Sequence, residues 1–130
     1  MYMRPEIDQS IEHLTRIYKA LAHPVRLQLL HMLAHQEGCV CHLVNWVRRP
    51  QPYVSQQLGI LREVGLVVDR RDGQTIYYRV VSPVVKSLLS AGLEVLRCQG
   101  VTAELPAAVC GPLAGCSCPM CASHTSQDAS

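Results

Sequence analysis

Residues 51–80 read QPYVSQQLGILREVGLVVDRRDGQTIYYRV, and the change of period inside this stretch decides the fold. From Gln51 to Val64, Val54, Leu58 and Leu61 recur three and four residues apart, which places them on one apolar face of a helix. Gly65 follows, where the left-handed residue after a helix favours glycine. Beyond it the pattern changes to two β-prone runs, Leu66 to Arg71 and Gln74 to Val80, on either side of Asp72-Gly73. Such a pattern predicts a hairpin closed by a tight turn with positive φ angles. Tyr77 and Tyr78 alternate on the second run, so one of them is expected to pack inward.

Working outward, Pro50 and Pro52 punctuate a turn, and a short helix from about Val40 to Val47 precedes it, giving a helix, a turn and a helix. Upstream, Pro24 suits the first position of a helix whose apolar residues Val25, Leu27, Leu29, Leu30 and Leu33 carry it to about Ala34. Ile11, Leu14, Ile17, Tyr18 and Leu21 mark a first amphipathic helix that stops near His23-Pro24. Downstream of the hairpin, Ser82 as cap and Pro83 at the first position open a last helix through Leu96. The expected architecture is mainly α with a β-hairpin wing, a winged helix-turn-helix over residues 1–98. Residues 99–130 lack periodicity and read as a flexible, Cys-rich tail.

At 130 residues, the chain has room for one such domain but not for a separate catalytic one. Hydrophobic residues make up 48% and charged residues 17%, enough to fold, and the absence of Phe leaves Leu, Val and Ile to fill the interior. The opening Met-Tyr-Met-Arg-Pro-Glu lacks the apolar run of a secretory signal. The uncharged stretch from Leu105 to Gln127 is too broken by Pro and Gly to span a membrane. A cytoplasmic, reducing setting is therefore expected. There, seven cysteines are read as metal ligands or redox thiols rather than as a disulfide framework.

The net charge of +2 matters less than its placement. On the helix from Gln51, the residues left on outer faces include Gln51, Tyr53, Ser55, Gln56 and Arg62. Gln and Ser at the front of such a helix are able to reach base edges in a major groove. Arg48 and Arg49 before it, and Arg70 and Arg71 on the wing, are placed to meet phosphates, which supply affinity rather than sequence choice.

Two groups of cysteines carry the remaining chemistry. Cys39-Val40-Cys41 stands just ahead of the helix-turn-helix. Residues two apart on a regular helix point to nearly opposite sides, so these thiols can share an ion only if the chain is extended or just entering a helix. A helix start also offers unpaired N–H groups that favour a thiolate. The second group, Cys110, Cys116, Cys118 and Cys121, contains a Cys-x-Cys and a Cys-x-x-Cys, both spacings that let neighbouring sulfurs meet one ion. Around Cys118-Pro119-Met120-Cys121 there is no strand-helix frame of a disulfide oxidoreductase, so no enzyme is expected. His13, His23, His31 and His35 read as structural or solvated. His42, directly after Cys41, is a possible extra ligand.

Four segments, taken in order, resemble the ArsR/SmtB family of bacterial metal-responsive repressors: Lys19-Ala20-Leu21-Ala22-His23-Pro24-Val25-Arg26-Leu27, Cys39-Val40-Cys41, Val54 to Leu58 with Leu61 to Val67, and Arg71 to Tyr78. The resemblance covers roughly Ile11 to Leu96. It implies a homodimer formed through the first and last helices, bound to an inverted-repeat operator in double-stranded DNA and released when its inducer binds. In that family the Cys-x-Cys position supplies ligands for As(III) and Sb(III) or for Cd(II), Pb(II) and Zn(II).

The chain departs from the family pattern at three places. Val44 stands where some arsenic-responsive members carry a third cysteine, His42 stands where Asp is common, and the last helix lacks the family's zinc-binding His and acidic pattern. Two thiolates do not close a site for these ions, which points to the tail for the missing ligands: either the tail folds back onto Cys39 and Cys41, of its own or the partner subunit, or its four cysteines form a separate site. A second reading keeps the fold and replaces coordination by thiol oxidation or persulfide sensing, with Cys41 and Cys98 as the reacting pair.

Overall fold

The structure, a computed structural model, describes residues 5–106. Helix α1 spans Pro5–Leu21 and α2 spans Pro24–His35; a two-residue strand β1, Gly38–Cys39, leads into α3, Val40–Val47. Then come α4 (Gln51–Glu63), the strands β2 (Val67–Asp72) and β3 (Thr75–Val80), and α5 (Val84–Cys98). Helices α3 and α4 with the β2–β3 hairpin behind them make a winged helix-turn-helix, as the change of period predicts. Among the described residues no helix is long and apolar enough to cross a membrane. The tail thiols Cys110, Cys116, Cys118 and Cys121 lie outside the described residues.

The core is aliphatic, as a chain without Phe requires. Leu29 and Leu30 of α2, Leu43 of α3 and Val54, Leu58 and Leu61 of α4 are fully enclosed, so the three- and four-residue spacing identified the buried face of α4 correctly. Pro52 lies within the first turn of α4, where its missing N–H has no helical partner to lose. Gly65 takes φ 80°, and Leu66 N–H donates to Leu61 O at 3.0 Å, tying the end of α4 to the start of the wing.

Three details differ from the sequence-based expectation. The last helix begins at Val84, one residue late, although the Ser82 hydroxyl still accepts from Val84 N–H at 3.2 Å. Both wing tyrosines are buried, not one: Tyr78 faces the core, while Tyr77 is covered on the other face by the Arg70 guanidinium, 4.5 Å from its ring centre. A third strand is also present. Gly38 pairs with Tyr78 and Cys39 with Tyr77, so the sheet has the order β1-β3-β2. In the wing turn only Gly73, at φ 64°, takes a positive angle, as in a two-residue type II′ connection.

Candidate functional site

Cys39 occupies two structural roles at once. As the last residue of β1 it is extended, with φ −83° and ψ 164°, and pairs with the wing strand β3. As the residue before α3 it caps that helix, its sulfur accepting from His42 N–H at 3.3 Å. Cys41 follows in the first helical turn. The joint between strand and helix turns both side chains the same way and brings Cys39 Sγ to 3.1 Å from Cys41 Sγ. This is the extended entry that the sequence spacing demanded for two thiols to share a ligand.

Cys39 is buried and Cys41 partly exposed, and both border a shallow cleft of about 220 Å³. Its other walls are Val40, Gln51 at the start of α4, and Gln74, Thr75 and Ile76 at the tip of the wing. The thiols thus sit between the two elements expected to touch DNA. No sequence signal marked Gln74 or Thr75, because their place here depends on β1 pairing with β3. His42 is buried, with its Nε2 at 3.4 Å from Gln36 Nε2. Among the described residues no three His, Cys, Asp or Glu side chains are grouped closely enough to hold a metal ion. Within residues 5–106 the thiol pair supplies two soft donors, fewer than the thiophilic ions take.

The expected DNA-facing residues divide into open and engaged ones. Gln51, Ser55, Gln56 and Arg62 are exposed on α4, and Arg48, Arg49 and Arg71 are exposed around it. Arg48 ends α3 in the left-handed region at φ 56°. Tyr53 is half-buried, its hydroxyl 3.3 Å from His23 Nε2, with the Arg49 guanidinium 5.9 Å from its ring centre. Arg62 pairs with Asp69 at 3.2 Å. Arg70 is the most engaged: its Nε donates to Glu37 Oε2 at 3.0 Å and its Nη2 to Oε1, while the guanidinium lies over Tyr77. This hydrogen-bonded guanidinium holds the Glu37 carboxyl below its ordinary range. Arg70 thus pins the wing to the β1 loop, a pairing that nothing in the local sequence around Glu37 announces.

Residues 23–68 match the model of the family described as bacterial regulatory protein, arsR family. The chain is 36% identical over 88 residues to the biofilm growth-associated repressor of Xylella fastidiosa, covering 68% of this chain and 77% of that protein. The chain belongs to the arsR family. As a member of this ArsR/SmtB family it is a DNA-binding transcriptional repressor and not an enzyme. It is also 35% identical over 86 residues to the arsenic resistance transcriptional regulator of Pseudomonas putida, covering 60% of this chain and 67% of that one. Among solved structures it is similar to the homodimeric winged helix-turn-helix DNA-binding domain of a possible ArsR-family regulator from Mycobacterium bovis. That likeness has a TM-score of 0.67 and 27% identity, over 79% of this chain and 97% of that one. The family match spans α2, β1, α3 and α4, so both the thiol pair and the reading helix fall inside it.

Proposed function

We propose that this ArsR-family chain is a homodimeric repressor that binds an inverted-repeat operator in double-stranded DNA and is released when a thiophilic ion is captured by Cys39 and Cys41, with tail thiols completing the ligand set. The observation that carries this is the 3.1 Å approach of the two sulfurs beside the wing strand β3. Family membership alone does not choose the inducer, since one relative is named for biofilm growth and another for arsenic resistance. The donors do the choosing: paired soft sulfurs suit As(III), Sb(III), Cd(II), Pb(II) or Zn(II) far better than hard cations. Cys110, Cys116, Cys118 and Cys121 have the spacing to bring the set to three or four sulfurs.

Homodimerisation is supported by the apolar residues left open on α1 and α5, among them Ile11, Leu14, Val84 and Val95, and by the homodimeric relative from Mycobacterium bovis. In the dimer, two copies of α4 would enter successive major grooves with Gln51, Ser55 and Gln56 at base edges. Arg48, Arg49 and Arg71 would lie at phosphates, with Tyr53 and Arg62 flanking the helix. Arg70 holds the wing in place from its pairing with Glu37.

Release follows from where the thiols stand. Cys39 is a rung of the sheet that carries the wing, and its cleft is shared with the first residue of α4. Drawing Cys39 and Cys41 onto further ligands therefore loads the wing and the reading helix together. Coupling of this kind is about 1–3 kcal/mol, or 5- to 150-fold in operator affinity. In a cytoplasmic setting the thiols stay reduced and able to coordinate. The test is operator binding by the Cys39→Ser/Cys41→Ser protein under titration with As(III), Cd(II), Pb(II) and Zn(II). The double variant should bind operator as the wild type does and stay bound; release at wild-type ion concentrations would exclude the pair as the switch.

A further inference from the structure

His23 stands where α1 gives way to α2, and its backbone is held on both sides. Its N–H donates to Leu21 O at 2.8 Å and its carbonyl accepts from Leu27 N–H at 3.0 Å, while Pro24 fills the first position of α2. From this fixed backbone the ring reaches the front of the reading helix. Nε2 lies 3.3 Å from the hydroxyl of Tyr53, and the two ring centres are 6.4 Å apart. The other ring nitrogen, Nδ1, is buried and meets no hydrogen-bond partner among the described residues. Tyr53 in turn has the exposed Arg49 guanidinium 5.9 Å from its ring centre, a cation–π distance.

The orphaned Nδ1 decides where the proton of this contact lies. A neutral imidazole carries one N–H, at Nδ1 or at Nε2. With the proton on Nδ1, Tyr53 would donate to Nε2, and a buried N–H would be left without an acceptor. With the proton on Nε2, His23 donates to the Tyr53 oxygen and only a lone pair is left bare. A buried N–H without a partner is the rarer defect, so the second arrangement is the one the fold selects. It leaves the hydrogen of the half-buried Tyr53 hydroxyl for an acceptor outside the subunit, and a hydroxyl that already accepts is the stronger donor. We propose that Tyr53 and Arg49 grip one phosphate of the duplex, with His23 as the positioning residue that aims the Tyr53 hydroxyl at it. This rests on the reading that the exposed side of α4 faces DNA, and it adds a role for His23, which its sequence context marks only as structural or solvated. Such a hydroxyl supplies affinity without sequence choice and, being neutral, without releasing a counterion.

The test is binding of the full-length protein to two labelled probes across a range of KCl: an operator selected by the wild type from a pool of random duplexes, and a duplex of mixed sequence. Tyr53→Phe keeps the ring and should weaken binding to both probes about tenfold, the loss of a hydrogen bond to a charged group, with the salt slope unchanged. Arg49→Ala should lower that slope by about 1. His23→Leu should weaken binding about fivefold and cost nothing further in the Tyr53→Phe background. His23→Gln, whose amide can still donate to Tyr53, should stay within about twofold of the wild type. Losses that simply add in the double variant would make His23 a structural residue and overturn the proposal, as would wild-type affinity in Tyr53→Phe. An unchanged slope in Arg49→Ala would instead show that this side of α4 does not meet phosphates, and the reading beneath the proposal would fall with it.

Discussion

Helices α2 and α5 are alike in the string and opposite in the fold. Both are rich in Leu and Val, yet α2 buries Val25, Leu29, Leu30, His31, Met32 and Leu33, whereas on α5 Val85 is buried and Val84 and Val95 stand open. The apolar residues of α5 adjoin those of α1: Leu14, Ile17 and Tyr18 share a cavity wall with Val84, Val85 and Leu88. The wing repeats the contrast at the scale of two residues. Arg70 is paired with Glu37 and laid over Tyr77, while its neighbour Arg71 is exposed and makes no ion pair among the described residues. Residue type sets what a side chain is able to do, and its surroundings decide whether that capacity is spent inside the subunit or offered outward.

If α1 and α5 offer their apolar faces to a second copy, Leu14→Asp should leave a folded monomer. Operator affinity should fall roughly 10²- to 10⁴-fold as two-site engagement is lost, checked by sedimentation together with operator titration. A dimer surviving this change would place the interface elsewhere. The matched change inside α2, Leu29→Ala, should act on stability instead, costing about 2–5 kcal/mol through lost burial and the cavity left behind. Denaturant unfolding measures it, and a loss below about 1 kcal/mol would mean that α2 is less enclosed than the structure shows.

On the wing, Arg71→Ala should weaken binding to all sequences alike and lower the salt slope of operator binding by about 1, the effect of one phosphate contact. Arg70→Ala should change that slope less, because the native side chain is committed to Glu37. Equal slopes for the two variants would erase the distinction drawn here.

The smallest effect expected is at Glu37. Its carboxyl is held below the ordinary range chiefly by its hydrogen bond to Arg70, so the charged pair is intact at neutral pH. Its contribution is present above the unfolded-state value and is lost as pH falls through the lower folded-state value. Glu37→Gln should therefore be slightly less stable than wild type at pH 7, with the gap closing in acid below about pH 4.5. A gap that persists or widens in acid would show that the Arg70 pairing is not its cause.

The helix-turn-helix and the wing were legible because their signals are local. Periods of 3.6 and 2, Pro50 and Pro52 at the start of α4 and glycines at Gly65 and Gly73 each restrict the backbone within a few residues. The thiol pair was legible as chemistry, and the demand for an extended entry at Cys39 was met. Strand β1 was not legible, since two residues carry no period, and its identity comes from β3 almost forty positions away. For the same reason Gln74 and Thr75 gave no sign of bordering the thiols, Glu37 none of holding Arg70, and His31 none of receiving Pro106.

The order of residues determined the elements, the buried face of α4, and the donor chemistry of Cys39 and Cys41, because each depends on backbone preferences or atoms within a turn or two. The folded chain decided that Cys39 is at once a cap of α3 and a rung of the wing sheet, and which arginines remain open. Those outcomes depend on pairings across long separations, where a side chain's partner is set by packing and not by its neighbours in sequence.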